Sequence, residues 1–144
     1  MYTGIKHLHS YLPYLLLAAL AISVIVFLAK RSAGKSFTSA DKRLALITLI
    51  LTHLQLVAGL VLYFISPVVK TALTADDMMG DSTHRFYAVE HIGVMLVAII
   101  LITIGYSRAK RKTENRAKFQ TLTIFYLLGL LLILLRIPWF AWPV

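Results

Sequence analysis

His53, Glu90, His91 and Arg136 lie inside otherwise apolar stretches of a 144-residue chain, and His7 and His9 stand just ahead of another such stretch. Hydrocarbon makes an ionisable side chain expensive, so each residue of this kind is a functional candidate by default. The chain has five histidines and no cysteine. The lack of cysteine excludes disulfides, thiolate metal sites, iron–sulfur clusters and covalent c-type haem. What remains is imidazole chemistry. One form is axial ligation of non-covalent haem b, with one group or two, built from side chains on facing helices. Another is a proton relay through the adjacent Glu90 and His91. The fifth histidine, His84, reads as a solvated loop residue.

The elements that must position these residues follow from composition. Some 59% of the chain is hydrophobic and 15% is charged, against about 45–50% and about 25% in soluble domains. The apolar residues form four blocks, at about 11–29, 44–66, 86–107 and 119–142. Each is close to the ~20 residues a helix needs to cross a bilayer. Spanning strands are excluded, because they need only about 9–11 residues and alternate. Lys30-Arg31 follows block one like a stop-transfer flank, so that block reads as a span and not as a signal peptide. The expected fold is an all-α integral membrane protein: a single four-helix transmembrane bundle.

The net charge of +9 has its own distribution. Eleven of the fifteen lysines and arginines fall in loops one and three, from Lys30 to Arg43 and from Arg108 to Lys118. The positive-inside rule places those loops in the cytoplasm and both termini on the outer, periplasmic side. Topology therefore accounts for the charge, and nucleic acid is not an expected partner. Trp139, Trp142, Tyr11 and Tyr14 read as an outer interfacial belt. In loop two, Pro67 should end the second span, and the stretch from Val68 to Leu73 suits a short interfacial helix. The acidic run Asp76-Asp77-Met78-Met79-Gly80-Asp81 lacks the spaced oxygens of an EF-hand loop and reads as solvated.

Depth ranks the histidine pairs. Counting about 1.5 Å per residue from each cytoplasmic flank puts His9 roughly 31 Å up, His91 about 25 Å, Glu90 and Arg136 about 27 Å, and His53 about 15 Å. His9 and His91 are the preferred axial ligands, with His7 or His53 as alternates. His7 and His9 are about 200° apart on a helix, so only one can face the bundle. Arg136 is the preferred partner for a haem propionate or for Glu90; its bland alternative is snorkelling to the headgroups. Thr52, Gln55, Gly59 and Tyr63 share a face of helix two, and Gly129 shares a face of helix four with Arg136. A glycine facing the interior leaves room for a flat macrocycle or for a closely packed helix.

The stretch from His53-Leu54-Gln55-Leu56 through Gly59 to Tyr63, followed by Val89-Glu90-His91, resembles the glutamine- and glycine-bearing span and the histidine-bearing span of haem A synthase. The likeness is to one half-bundle of that enzyme. It departs at the enzyme's acidic residue ahead of the first histidine, since none precedes His7 or His9. With His7-Leu8-His9-Ser10 and Ile137-Pro138-Trp139 added, nearly the whole chain is similar to small four-span bacterial membrane proteins of the cytochrome b or cytochrome b561-like kind. The resemblance implies bis-histidine haem b near the outer face of a bacterial cytoplasmic (inner) membrane. Electron transfer from a membrane quinol to an outer-face redox partner would follow from it, in a monomer or a homodimer within the lipid bilayer. Two other functions fit the residues: a non-enzymatic accessory subunit, and a metal or proton transporter using His9, His53, Glu90 and His91.

Overall fold

The computed structural model describes residues 1–143. Regular structure among them is entirely helical. The helices are α1 (Tyr2–Ser32), α2 (Ser39–Ile65), α3 (Pro67–Thr74), α4 (Ser82–Arg85), α5 (His91–Arg111) and α6 (Asn115–Arg136), with a π-helical turn at Phe86–Glu90 joining α4 to α5. Four helical rods are long and apolar enough to cross a membrane: α1, α2, the continuous Ser82–Arg111 segment, and α6. At 1.5 Å per residue, the 31 residues of α1 reach about 46 Å, well beyond a ~30 Å hydrocarbon core.

Local chemistry sets the boundaries. Helix α2 starts on a capping box: Thr38 Oγ1 accepts from the Asp41 N–H at 3.4 Å, and Asp41 Oδ2 accepts from the Thr38 N–H at 2.8 Å. Ser66 ends α2, and Pro67 opens α3 at a position whose N–H has no helical partner anyway. The short helix expected in loop two is therefore present, with Val69 and Ala72 buried.

Two boundaries differ from the apolar blocks. Helix α1 begins at Tyr2, so both His7 and His9 are helical. Helix α6 stops at Arg136, six residues before the end of its block at Trp142. Pro138 disfavours helical backbone at Ile137, whose ψ is 134°. Residues 137–142 leave the helix as a folded-back segment instead.

Around the bundle, α1 packs on α2 and α6, and α5 packs on α6 and α2. The α2–α5 seam is the sparsest of the four. The Phe37 N–H donates to Asn115 Oδ1 at 3.0 Å, which brings the α1–α2 and α5–α6 connections to one end. This basic end is densely packed. Leu20, Phe27, Ile102, Phe119, Leu122 and Tyr126 are fully buried there and toward mid-bundle. Gly129 lets α6 approach α5 closely: a Cβ on it would stand 2.5 Å from Ile102 Cγ1 and 3.3 Å from the Ala98 carbonyl oxygen.

Candidate functional site

At the end opposite the basic loops, the same helices enclose a cavity of about 310 Å³. That is the lower end of the size range for small-molecule sites. His9 from α1 and His91 from α5 both line it. Their ring centres are 6.2 Å apart and their planes lie at 81°.

Three irregularities of the helices hold these rings, and each can be traced to sequence. Pro13 lies inside α1 and has no N–H, so the carbonyl four residues earlier, that of His9, loses its helical partner. The Gln55 side-chain amide of α2 donates to that carbonyl at 2.9 Å. The same amide nitrogen lies 3.0 Å from His9 Nδ1. Proline thus opens the backbone, and glutamine uses the opening to grip both the main chain and the ring of His9.

The second irregularity is the end of α6. Terminating a helix leaves its last carbonyls without partners. His91 Nδ1 lies 2.8 Å from the Arg136 carbonyl oxygen, which can only accept. Nδ1 therefore carries the proton, and His91 Nε2 keeps its lone pair. Pro138 likewise frees the Leu134 carbonyl, which accepts from the Trp139 indole at 2.9 Å. The Trp142 indole donates to the Ser10 carbonyl at 2.6 Å and stacks on Tyr14 with ring centres 4.5 Å apart. Trp142 also lines the cavity, with Tyr14 stacked behind it.

The third irregularity is the π turn just before His91. Tyr63 of α2 donates to the Ala88 carbonyl within it at 2.8 Å. Such turns occur frequently at functional sites. Glu90, the last residue of the turn, accepts from Arg85 Nε at 2.7 Å through Oε1 and lies 3.5 Å from Arg136 Nη1 through Oε2. Arg85 also donates to the Met79 carbonyl at 2.6 Å. This half-buried Arg–Glu–Arg set ties loop two to the helix end that holds His91.

Gly59 lies directly under His9. A Cβ there would stand 2.9 Å from Cε1 and 3.3 Å from Nδ1 of the ring. The space that glycine leaves is taken by the histidine. Gly129 lies elsewhere, in the α5–α6 contact, and does not line the cavity.

The remaining candidates are placed apart. His7 points outward and stacks on Tyr11, ring centres 6.0 Å apart. His53 is exposed; its Nδ1 lies 2.9 Å from the Leu49 carbonyl oxygen and its Nε2 3.5 Å from Thr103 Oγ1. Neither lines the cavity. Arg136 contributes its main-chain carbonyl to the site, while its guanidinium faces Glu90. His9, His53, Glu90 and His91 are not gathered together: among the described residues no group of three or more His, Cys, Asp or Glu side chains is arranged to hold a metal ion. Outside the spans, Asp81 caps α4, and the His84 backbone N–H bonded to its carboxylate holds that carboxyl below its usual range.

Pro13 and Lys6 are not expected from the sequence as site residues, and Gln55 is expected only as part of the helix-two face it shares with Gly59 and Tyr63. Lys6 is the one lysine, arginine, aspartate or glutamate lining the cavity. A signal for two of them is present in the chain: Pro13 stands four residues after His9, and Lys6 stands three before it, on the same helical face.

No family model matches the chain, and no curated protein or solved structure matches it.

Proposed function

We propose that this chain is a multi-pass membrane protein that binds non-covalent haem b between His9 and His91. The observation that carries the reading is the pair of imidazoles, 6.2 Å between centres and nearly perpendicular, on facing helices beside a cavity. His9 and His91 would hold the haem iron between their rings, as facing helices in bundles do. His91 is already in the ligating tautomer. Its Nδ1–H bond to the Arg136 carbonyl is the usual outer support for a ligand histidine, fixing the ring and raising its basicity.

His9 needs one adjustment. Gln55 donates to Nδ1, so the ring proton sits on Nε2. For His9 to hold the haem through Nε2, its ring proton would sit on Nδ1 instead. Gln55 Oε1, buried without a partner, becomes its acceptor when the amide turns over. Lys6 at the cavity wall is the residue to pair with a propionate, while the Arg136 guanidinium stays with Glu90 outside the lining.

Haem held by the two histidines would supply reversible one-electron transfer. The chain's own part is to fix the two rings and to keep the site apolar. Membrane quinol on one side and an outer-face acceptor on the other would suit such a carrier. The positive-inside rule gives the orientation: basic loops in the cytoplasm, both termini and the histidine site toward the outer face of a bacterial inner membrane.

The His9 tautomer also favours a second reading. With Nε2–H on His9 as donor and Nε2 on His91 as acceptor, a quinol-like ring could bind the pair without metal. One measurement separates the two. Purified protein should show a Soret band and a reduced-minus-oxidised b-type spectrum, with pyridine haemochrome counting the haem, and His91→Ala should abolish it. Protein without a chromophore, or an unchanged spectrum in His91→Ala, would overturn the haem reading.

A further inference from the structure

A second cavity, of about 110 Å³, lies at the basic end. Its walls come from α2 (Lys42, Ala45), α5 (Tyr106, Ala109, Lys110) and α6 (Lys118, Leu122), closed by Phe37. Three lysines line it and no carboxylate does. Among the described residues, none of the three forms an ion pair. Lys118 Nζ sits 5.2 Å from the centre of the Phe37 ring, which keeps that ammonium at the cavity wall. The nearby Asp41 carboxylate is already engaged by Lys30 at 2.6 Å.

We propose that this cavity is a binding site for the phosphate of an anionic phospholipid. Three observations single out a lipid rather than free phosphate. First, the cavity stands at the ends of three membrane-crossing rods, the level at which headgroups lie. Second, it sits on the α2–α5 seam, the sparsest in the bundle. Third, Ala45, Ala109 and Leu122 give it an apolar floor that a fully hydrated ion would not use. General attraction of juxtamembrane lysines to acidic leaflets is diffuse. Here the three lysines come from three different helices and line one concave surface. Bound lipid would bridge α2 to α5 and α6 at the basic end of that seam.

The test uses the full chain in phosphatidylcholine nanodiscs doped with phosphatidylglycerol, with retained lipid read by native mass spectrometry. Wild type should retain phosphatidylglycerol over phosphatidylcholine by about tenfold or more, since each lysine near a membrane surface is worth about fivefold. The triple variant K42Q/K110Q/K118Q should lose that preference. K42R/K110R/K118R should keep it, which separates lost charge from lost fold. The control K35Q/R43Q/K112Q removes the same charge from the same loops outside the cavity and should lose far less of the preference. Equal loss in the control would make the attraction diffuse and overturn the proposal. So would wild type without lipid preference, or displacement of phosphatidylglycerol by equimolar inorganic phosphate.

Discussion

At the basic end, Phe27, Phe119, Leu122 and Tyr126 fill the space between helices. Ser23 bonds Thr48 at 2.9 Å, and Tyr126 donates to the Ala45 carbonyl at 2.7 Å. At the other end the same rods surround a 310 Å³ cavity, and the polar bonds run to histidines. The two ends differ in their backbones as much as in their side chains. The packed end uses carbonyls of unbroken helix. The cavity end uses carbonyls released by Pro13, by the end of α6 and by the π turn. Irregular backbone at membrane depth is tolerated only where it is buried in protein or lines a cavity, because lipid offers no hydrogen bonds. The breaks are therefore where the site can be built, and the released carbonyls orient its rings.

If the proposed haem site is right, substitutions that fill or reconnect the cavity end should weaken or erase haem binding while sparing the fold. Gly59→Val should have the largest effect. Its side chain would occupy the place of the His9 ring, so the Soret band should vanish while helical circular dichroism persists. Retention of a wild-type spectrum would mean that His9 is not a ligand. Gln55→Leu should follow, with haem affinity about 10–100-fold lower, the usual cost of removing an outer-shell partner. Haem titration into apo protein measures it. Pro13→Ala should be milder, within about tenfold. The restored N–H would reclaim the His9 carbonyl and compete with Gln55, so affinity should fall while thermal stability holds or rises. A fall in both would place Pro13 in packing alone.

The apolar blocks made the four spans legible, because a bilayer demands about twenty apolar residues whatever the tertiary fold. Counting from the flanks also ranked His9 with His91 ahead of other pairs, and these are the two rings that meet across the bundle. His7 and His53 separated from them for reasons of helical phase and depth. The end of α6 falls short of its apolar block because hydropathy is blind to backbone: Ile137, Trp139, Phe140 and Trp142 are as apolar as a span, and only Pro138 marks the break. Gly59 and Gly129 looked alike in sequence. One yields its space to a histidine ring and the other to a neighbouring helix, a distinction that depends on which residue arrives from another element. The hold of Gln55 on His9 needed the same long-range knowledge, 46 positions apart.

The packed end predicts the opposite response: loss of stability with the spectrum intact. Gly129→Ala should destabilise by about 1–3 kcal/mol, the usual cost of overpacking a close contact. Thermal unfolding in detergent measures it, and a shifted Soret band would show that strain at the α5–α6 contact reaches His91.

Tyr126→Phe should do least. It removes only the hydroxyl that bonds the Ala45 carbonyl, and the ring stays packed among Phe27 and its neighbours. The Ala45 carbonyl belongs to unbroken helix and keeps its main-chain partner, so no acceptor is left bare. Interhelical bonds of this kind in membrane proteins average about 0.6 kcal/mol. The expected loss is about that size, with ligand affinity unchanged. A haem-affinity change in Tyr126→Phe would show the two ends to be mechanically coupled through α6. An unchanged affinity would show that the Tyr126 bond holds the rods at the basic end without reaching the histidine pair.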